Sequence, residues 1–154
     1  MLYFSYGMNT NRGQMALRCP DARSLGQAVL YGHEFRFARH ADIIENPEFN
    51  THGVLWDITA ECEKSLDALE GFPDYYLKKQ VNVFYNGTPV ECMTYYMTGE
   101  VIDSLPSDSY LDMLFEGYLE HNVSTEQIID SIDLITSIKQ RQLDLQAKYF
   151  PEEV

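Results

Sequence analysis

Apolar and polar positions alternate most clearly at Val81, Val83 and Tyr85, after which Asn86-Gly87 intervenes and the run from Val90 to Met97 returns. That pattern predicts a hairpin closed by a type I′ turn. Leu2 to Tyr6 predicts a short buried strand, rich in aromatics and ended by Gly7. Two more extended regions are expected, at about Gln27 to Phe37, interrupted by Gly32, and from Gly53 to Ile58 with Val54, Leu55 and Trp56.

After Thr59 the period changes. Cys62, Leu66 and Leu69 recur at helical spacing, which predicts a core-facing stripe, and Glu61 and Glu63 occupy the first turn, where the helix dipole favours them. Gly71 and Pro73 end that helix. Asn11 with Gln14 predicts a capped short helix through Met15, Ala16 and Leu17 that Pro20 stops. Ser107 caps a helix bearing Tyr110, Leu111, Leu114, Phe115 and Tyr118. Ser124 and Gln127 predict a capping box opening the last helix, with Ile128, Ile129, Ile132, Ile135 and Ile138 on its apolar side and a solvated tail from Lys139 to Gln146. The chain contains no internal repeat, low-complexity segment or separating linker. Strands, helix, hairpin and helices in that order predict an α+β fold, with residues 1–154 as one domain.

Composition narrows the function. A chain of 154 residues with 45% hydrophobic residues can bury a core without disulfide or metal. Eleven Tyr and eight Phe offer flat, rigid walls for a small pocket. A net charge of −13 speaks against nucleic acid, whose phosphates need clustered Lys and Arg, and against anionic membranes. The start Met1-Leu2-Tyr3-Phe4-Ser5 has neither a basic n-region nor a long apolar stretch, so a cytoplasmic enzyme is expected, with no membrane segment. The Ile-rich last helix suits a monomer's core or a homodimer's contact equally.

Two features carry candidate chemistry. In Tyr6-Gly7-Met8-Asn9 a strand runs through Gly into a helix start, leaving backbone N–H groups that can hold a carboxylate or oxyanion; an ordinary turn would read the same. Glu70 ends the amphipathic helix at the negative end of its dipole, with Phe72, Tyr75 and Tyr76 after it, so its pKa is expected to rise. A raised carboxyl suits proton transfer near neutrality, although a solvated helix-end Glu has the same sequence. His33, His40, His52 and His121 show no metal-ligand spacing, so no metal is expected. Cys19, Cys62 and Cys92 read as packing residues. Arg36, Arg39 and His40 form a small basic cluster that reads as an exposed strand end or as a seat for an anionic part of the substrate.

The stretch Leu2 to Asn9 resembles the Y-F-x-Y-G-S-N loop of the gamma-glutamyl cyclotransferase-like family. The similarity continues through Gln14-Met15, Arg18-Cys19-Pro20, Gly53-Val54-Leu55-Trp56, Leu66-Asp67-Ala68-Leu69-Glu70-Gly71, Thr94 to Met97 and Pro106-Ser107-x-x-Tyr110. It covers roughly residues 2 to 130. The resemblance implies a small mixed β-barrel flanked by helices. It also implies cyclisation of a gamma-glutamyl group to 5-oxoproline with release of an amine or amino acid, with no cofactor, on a small gamma-glutamyl substrate. Glu70 matches the family's catalytic Glu, and the backbone of Tyr6, Gly7, Met8 and Asn9 would hold the substrate's carboxylate or oxyanion. Tyr76 and Tyr110 would be hydrogen-bond donors at the pocket, or core aromatics. Met8 stands where the family usually has Ser, and Asn122-Val123-Ser124 replaces its Gly-Leu-Pro turn. Those departures keep open a non-catalytic module that binds a small metabolite in the same pocket.

Overall fold

The computed structural model describes residues 1–97 and 103–153. β1 (Leu2–Ser5) leads through a 3-10 turn (Met8–Thr10) into α1 (Arg12–Arg18), then a long hairpin of β2 (Arg23–Ala38) and β3 (His40–Asp57). α2 (Ala60–Glu70), the hairpin of β4 (Tyr76–Tyr85) and β5 (Thr88–Met97), α3 (Asp108–Glu120) and α4 (Glu126–Tyr149) follow. The strands close a barrel in the order β1-β3-β2-β4-β5. β1 runs parallel to β5 through Tyr3 and Met93, while its pairing with β3 is antiparallel. The mixed barrel with flanking helices is therefore the architecture that the family resemblance implies, and it agrees with the α+β order read from the sequence.

Local signals place the helix ends. Asn11 accepts from the Gln14 amide at 3.1 Å, Thr59 from Cys62 at 3.1 Å and Ser107 from Tyr110 at 3.2 Å, which satisfies first-turn donors. Gly71 closes α2 in the left-handed conformation, φ 65°, which a side chain disfavours. Phe4, Leu30, Leu55, Val83, Leu66, Leu114 and Tyr118 are fully buried and pin strands and helices together. All three cysteines are buried and free, and burial pushes the Cys19 and Cys92 thiols up to about 12. Among the described residues no helix is long and apolar enough to cross a membrane.

The structure departs from expectation in three places. β3 extends continuously through residues 40–52, where no strand is expected, because this arm carries exposed Glu45, Pro47, Glu48, Phe49 and Asn50 and so lacks an apolar period. Its pairing is imposed by β2 across Tyr31↔Asn50 and His33↔Glu45, with Gly32 at φ 71° in the intervening irregularity. Leu69 is 47% exposed rather than core. The capping box of α4 does not form: Ser124 Oγ reaches only the Glu126 amide, and the Gln127 side chain instead bonds the His52 backbone twice at 2.8 Å and donates to the Tyr118 hydroxyl at 2.7 Å. Of the Ile stripe, Ile128 and Ile135 are buried while Ile129 and Ile138 are exposed, Ile138 because the second half of α4 runs beyond the barrel.

Candidate active site

β1 delivers its C-terminal end to the mouth of the barrel, and Gly7 turns the chain into the 3-10 turn Met8–Thr10. The amides of Thr10 and Asn11 bond back to Gly7 O and Met8 O at 3.0 Å each, so the amides ahead of them precede the hydrogen-bonded turn. A cavity of about 220 Å³ opens here. Tyr6, Gly7, Met8, Asn9, Glu70, Tyr76 and Tyr110 all line it. A side chain at Gly7 would put its Cβ 3.2 Å from both Ala41 Cβ and the Tyr110 hydroxyl, so either neighbour would have to give by a few tenths of an ångström.

Glu70 is half-buried at the last position of α2. Desolvation pushes its carboxyl up to about 7, against the Arg18 guanidinium and a hydrogen bond from Asn9, both of which hold it down. Burial is thus the dominant cause. Asn9 Nδ2 donates to Glu70 Oε1 and to the Tyr3 hydroxyl, at 3.0 Å each, and Arg18 donates to Asn9 Oδ1. Because Arg18 is only a donor, its contact fixes which end of the Asn9 amide faces Glu70. The resulting chain, Arg18–Asn9–Glu70, orients one carboxylate oxygen and leaves Oε2 without a described hydrogen bond.

The two tyrosines differ from each other. The Tyr76 hydroxyl donates to Ala41 O at 2.7 Å, so its proton is engaged. The Tyr110 hydroxyl accepts from Ala41 N at 3.0 Å, and its own hydrogen has no acceptor among the described hydrogen bonds. Burial pushes Tyr110 up to about 12, while the Ala41 and Met8 amides hold it down. Together they grip both backbone polar groups of Ala41. Tyr6 is buried, donates its hydroxyl to Tyr95 O at 2.6 Å and accepts from Tyr118 through its carbonyl at 2.6 Å.

One lining residue carries no chemical signal of its own in the sequence, and another is flagged only within the basic cluster. Arg18, in the last turn of α1, reads there as a favourable charge at a helix C-terminus. His40 at the rim bonds the Tyr75 hydroxyl through Nδ1 at 2.7 Å, and burial with neighbouring Arg39 lowers its pKa. Of the basic cluster, Arg36 is paired with buried Asp42 at 2.9 Å, exposed Arg39 makes the hairpin reversal at φ 67°, and only His40 lines the cavity. No group of three or more His, Cys, Asp or Glu side chains close enough to hold a metal occurs among the described residues.

The family model described as gamma-glutamyl cyclotransferase, AIG2-like matches residues 3–112. A gamma-glutamylcyclotransferase of Bos taurus is 29% identical over 140 residues, covering 81% of this chain and 73% of that protein. A solved gamma-glutamyl cyclotransferase superposes with a TM-score of 0.76 at 26% identity, covering 82% of each chain. A crystal structure of an uncharacterized protein from Homo sapiens gives a TM-score of 0.75 at 27% identity, over 81% of this chain and 82% of that one.

Proposed function

The chain belongs to the gamma-glutamyl cyclotransferase, AIG2-like enzyme family, and from that premise we propose that it cyclises a gamma-glutamyl group to 5-oxoproline, with Glu70 transferring the protons. The observation that carries this reading is a carboxyl raised to about 7, half-buried at the wall of a small cavity and held at one oxygen by Asn9. Near neutrality such a group is present in both protonation states, so it can accept a proton and return it.

In this mechanism the substrate's α-ammonium gives a proton to Glu70 Oε2, and the freed amine attacks its own γ-carbonyl carbon. The ring C–N bond forms and the carbonyl electron pair moves to oxygen, producing a tetrahedral oxyanion. Glu70 returns the proton to the departing nitrogen as the oxyanion collapses and the original amide C–N bond breaks. The ring nitrogen gives its second proton to the released amine, which leaves as an ammonium, so the lactam is neutral and Glu70 is ionised again. Nucleophile and electrophile belong to one molecule, so folding the substrate into the cavity supplies much of the rate. The cavity of about 220 Å³ opens at the barrel mouth, which suits one small gamma-glutamyl group with its leaving amine towards the mouth. Backbone amides of the Tyr6 to Asn9 loop hold the carboxylate or oxyanion in this reading, and Tyr110 donates its unengaged hydroxyl proton. Tyr76 acts on the substrate only by positioning Ala41. The reading requires neither metal nor nucleotide.

The test is release of 5-oxoproline from small gamma-glutamyl amides by wild type and by Glu70→Gln, which keeps size and removes proton transfer. General acid–base catalysis contributes about 10²–10⁴-fold, and a loss of that size is expected in a folded variant. Near-normal turnover by Glu70→Gln would sink the mechanism. Binding without turnover by wild type would instead favour a metabolite-holding module.

A further inference from the structure

α4 is long for a barrel of this size and is electrically asymmetric. Its first half, from Glu126 to Ser137, carries Glu126, Asp130 and Asp133 and no Lys or Arg. Its second half carries Lys139, Arg141 and Lys148 against a single Asp144. None of Glu126, Asp130, Asp133, Lys139, Arg141 or Lys148 enters an ion pair among the described residues. The first half packs on the chain's own strands through buried Ile128 and Ile135, whereas every residue from Thr136 to Tyr149 is exposed.

The apolar stripe does not stop where the packing does. At 100° per residue, Leu134, Ile138, Leu145 and Tyr149 fall within one ~60° sector, beside the buried Ile128–Ile135 face. All four of these side chains are exposed. The same sector borders a groove of about 570 Å³ between the first half of α4 and the β2–β3 arm. Phe35, Phe37 and exposed Phe49 contribute its apolar wall, and Glu34, Asp103, Glu126 and Asp130 its acidic rim. A basic apolar ridge and an acidic apolar groove thus lie on one side of one helix, offset along its axis.

We propose that this face is a self-association surface, on which the basic second half of α4 from one copy lies antiparallel in the acidic groove of another. The antiparallel arrangement sets Arg141 and Lys148, which flank the stripe on the same side as Glu126 and Asp130, against the partner helix's acidic half, twice over by symmetry, with Ile138 near the crossing point. A parallel arrangement would place like charges together. A helix of 24 residues is ~36 Å long, and a strip ~10 Å wide buries only ~400 Å² per copy before the groove is counted. The dimer is therefore weak, concentration-dependent and weakened by salt.

Sedimentation velocity over a range of protein and salt concentrations tests this, with two charge-reversed variants at exposed sites, Arg141→Glu/Lys148→Glu and Asp130→Lys/Asp133→Lys. Wild type is expected to dimerise at low salt, each variant alone to be monomeric with an unchanged circular dichroism spectrum, and the equimolar mixture to dimerise again. Ile138→Asp, exposed and away from the buried contacts, should abolish the wild-type dimer. The proposal is overturned if wild type stays monomeric at every concentration, which would leave the groove to a different partner. Dimers in both variants alone, or no dimer in their mixture, would overturn it equally.

Discussion

Asn9 Nδ2 lies 3.0 Å from Glu70 Oε1, joining the loop after β1 to the last residue of α2 across 61 positions of sequence. Arg18 sits behind it, donating to Asn9 Oδ1. The N-terminal loop therefore reaches the carboxylate with a side chain, in addition to lining the same cavity with its backbone. The arrangement sets two opposing influences on one proton: burial of the carboxyl raises Glu70, and the two nitrogen donors moderate the rise.

Removing either moderator should let burial prevail. With Asn9→Ala or Arg18→Gln, the Glu70 pKa rises, and because the base must be ionised to accept a proton, the acidic limb of kcat/KM moves to higher pH. A hydrogen bond to a charged group contributes about 1.5–3 kcal/mol, and partial exposure brings that to about one pH unit. Limbs coincident with wild type would show that neither donor acts on the reacting carboxyl.

Stability should carry the same signature. The folded-state carboxyl is raised to about 7 from an ordinary 4.5, so the native state holds its proton more tightly than the unfolded chain. The stabilisation that this affords is complete below about 4.5 and is lost as pH rises through 7. At pH 8 the ionised Glu70 is a burden of about 2 kcal/mol after allowance for solvent screening. Glu70→Gln should melt with wild type near pH 4 and several degrees above it at pH 8. Equal melting temperatures at both pH values would contradict a raised carboxyl.

Ala41 gives a way to separate the two tyrosines. Tyr76→Phe orphans Ala41 O and Tyr110→Phe orphans Ala41 N, so each should lower stability by about 1–3 kcal/mol in denaturant titrations. Turnover should distinguish them. Tyr110→Phe also removes the unengaged proton and should lose about tenfold in kcat, the equivalent of about 1.4 kcal/mol, while Tyr76→Phe keeps kcat nearly unchanged. Equal kcat losses would mean that both act only by holding Ala41.

What was legible in the sequence was local. Asn11, Thr59 and Ser107 signal helix starts because a cap bonds an amide within three residues, and Asn86-Gly87 marks its hairpin with φ of 50° and 76°. Glu70 is visible because a carboxylate before a C-terminal Gly is itself an electrostatic oddity. Residues 40–52 are not visible as a strand, since their pairing is dictated by β2 rather than by their own period. Leu69 fits the helical stripe yet turns to the cavity, and Gln127 abandons its expected cap for His52 and Tyr118, partners 75 and 9 positions away. Arg18 and the side-chain role of Asn9 belong to the same class, because only the closed barrel brings α1, the loop and α2 together.

The loop's position itself depends on a residue that touches no part of the cavity. Gly117 of α3 is buried against the 3-10 turn, and an added Cβ would stand 2.6 Å from Asn11 N and 2.8 Å from the Thr10 carbonyl carbon. Those are backbone atoms on both sides of the contact, so no side-chain rotation can relieve it. Asn11 Nδ2 also donates to Met113 O at 3.0 Å, tying the turn to α3. Gly117→Ala must therefore push the turn off the helix or strain both, at a cost of about 1–3 kcal/mol. Asn9 travels with that turn, so Gly117→Ala should lower the melting temperature and, in protein still folded at the assay temperature, also lower kcat. An unchanged melting temperature would mean that α3 shifts as a body, and a lowered one with full kcat would mean that the Asn9–Glu70 contact survives the displacement.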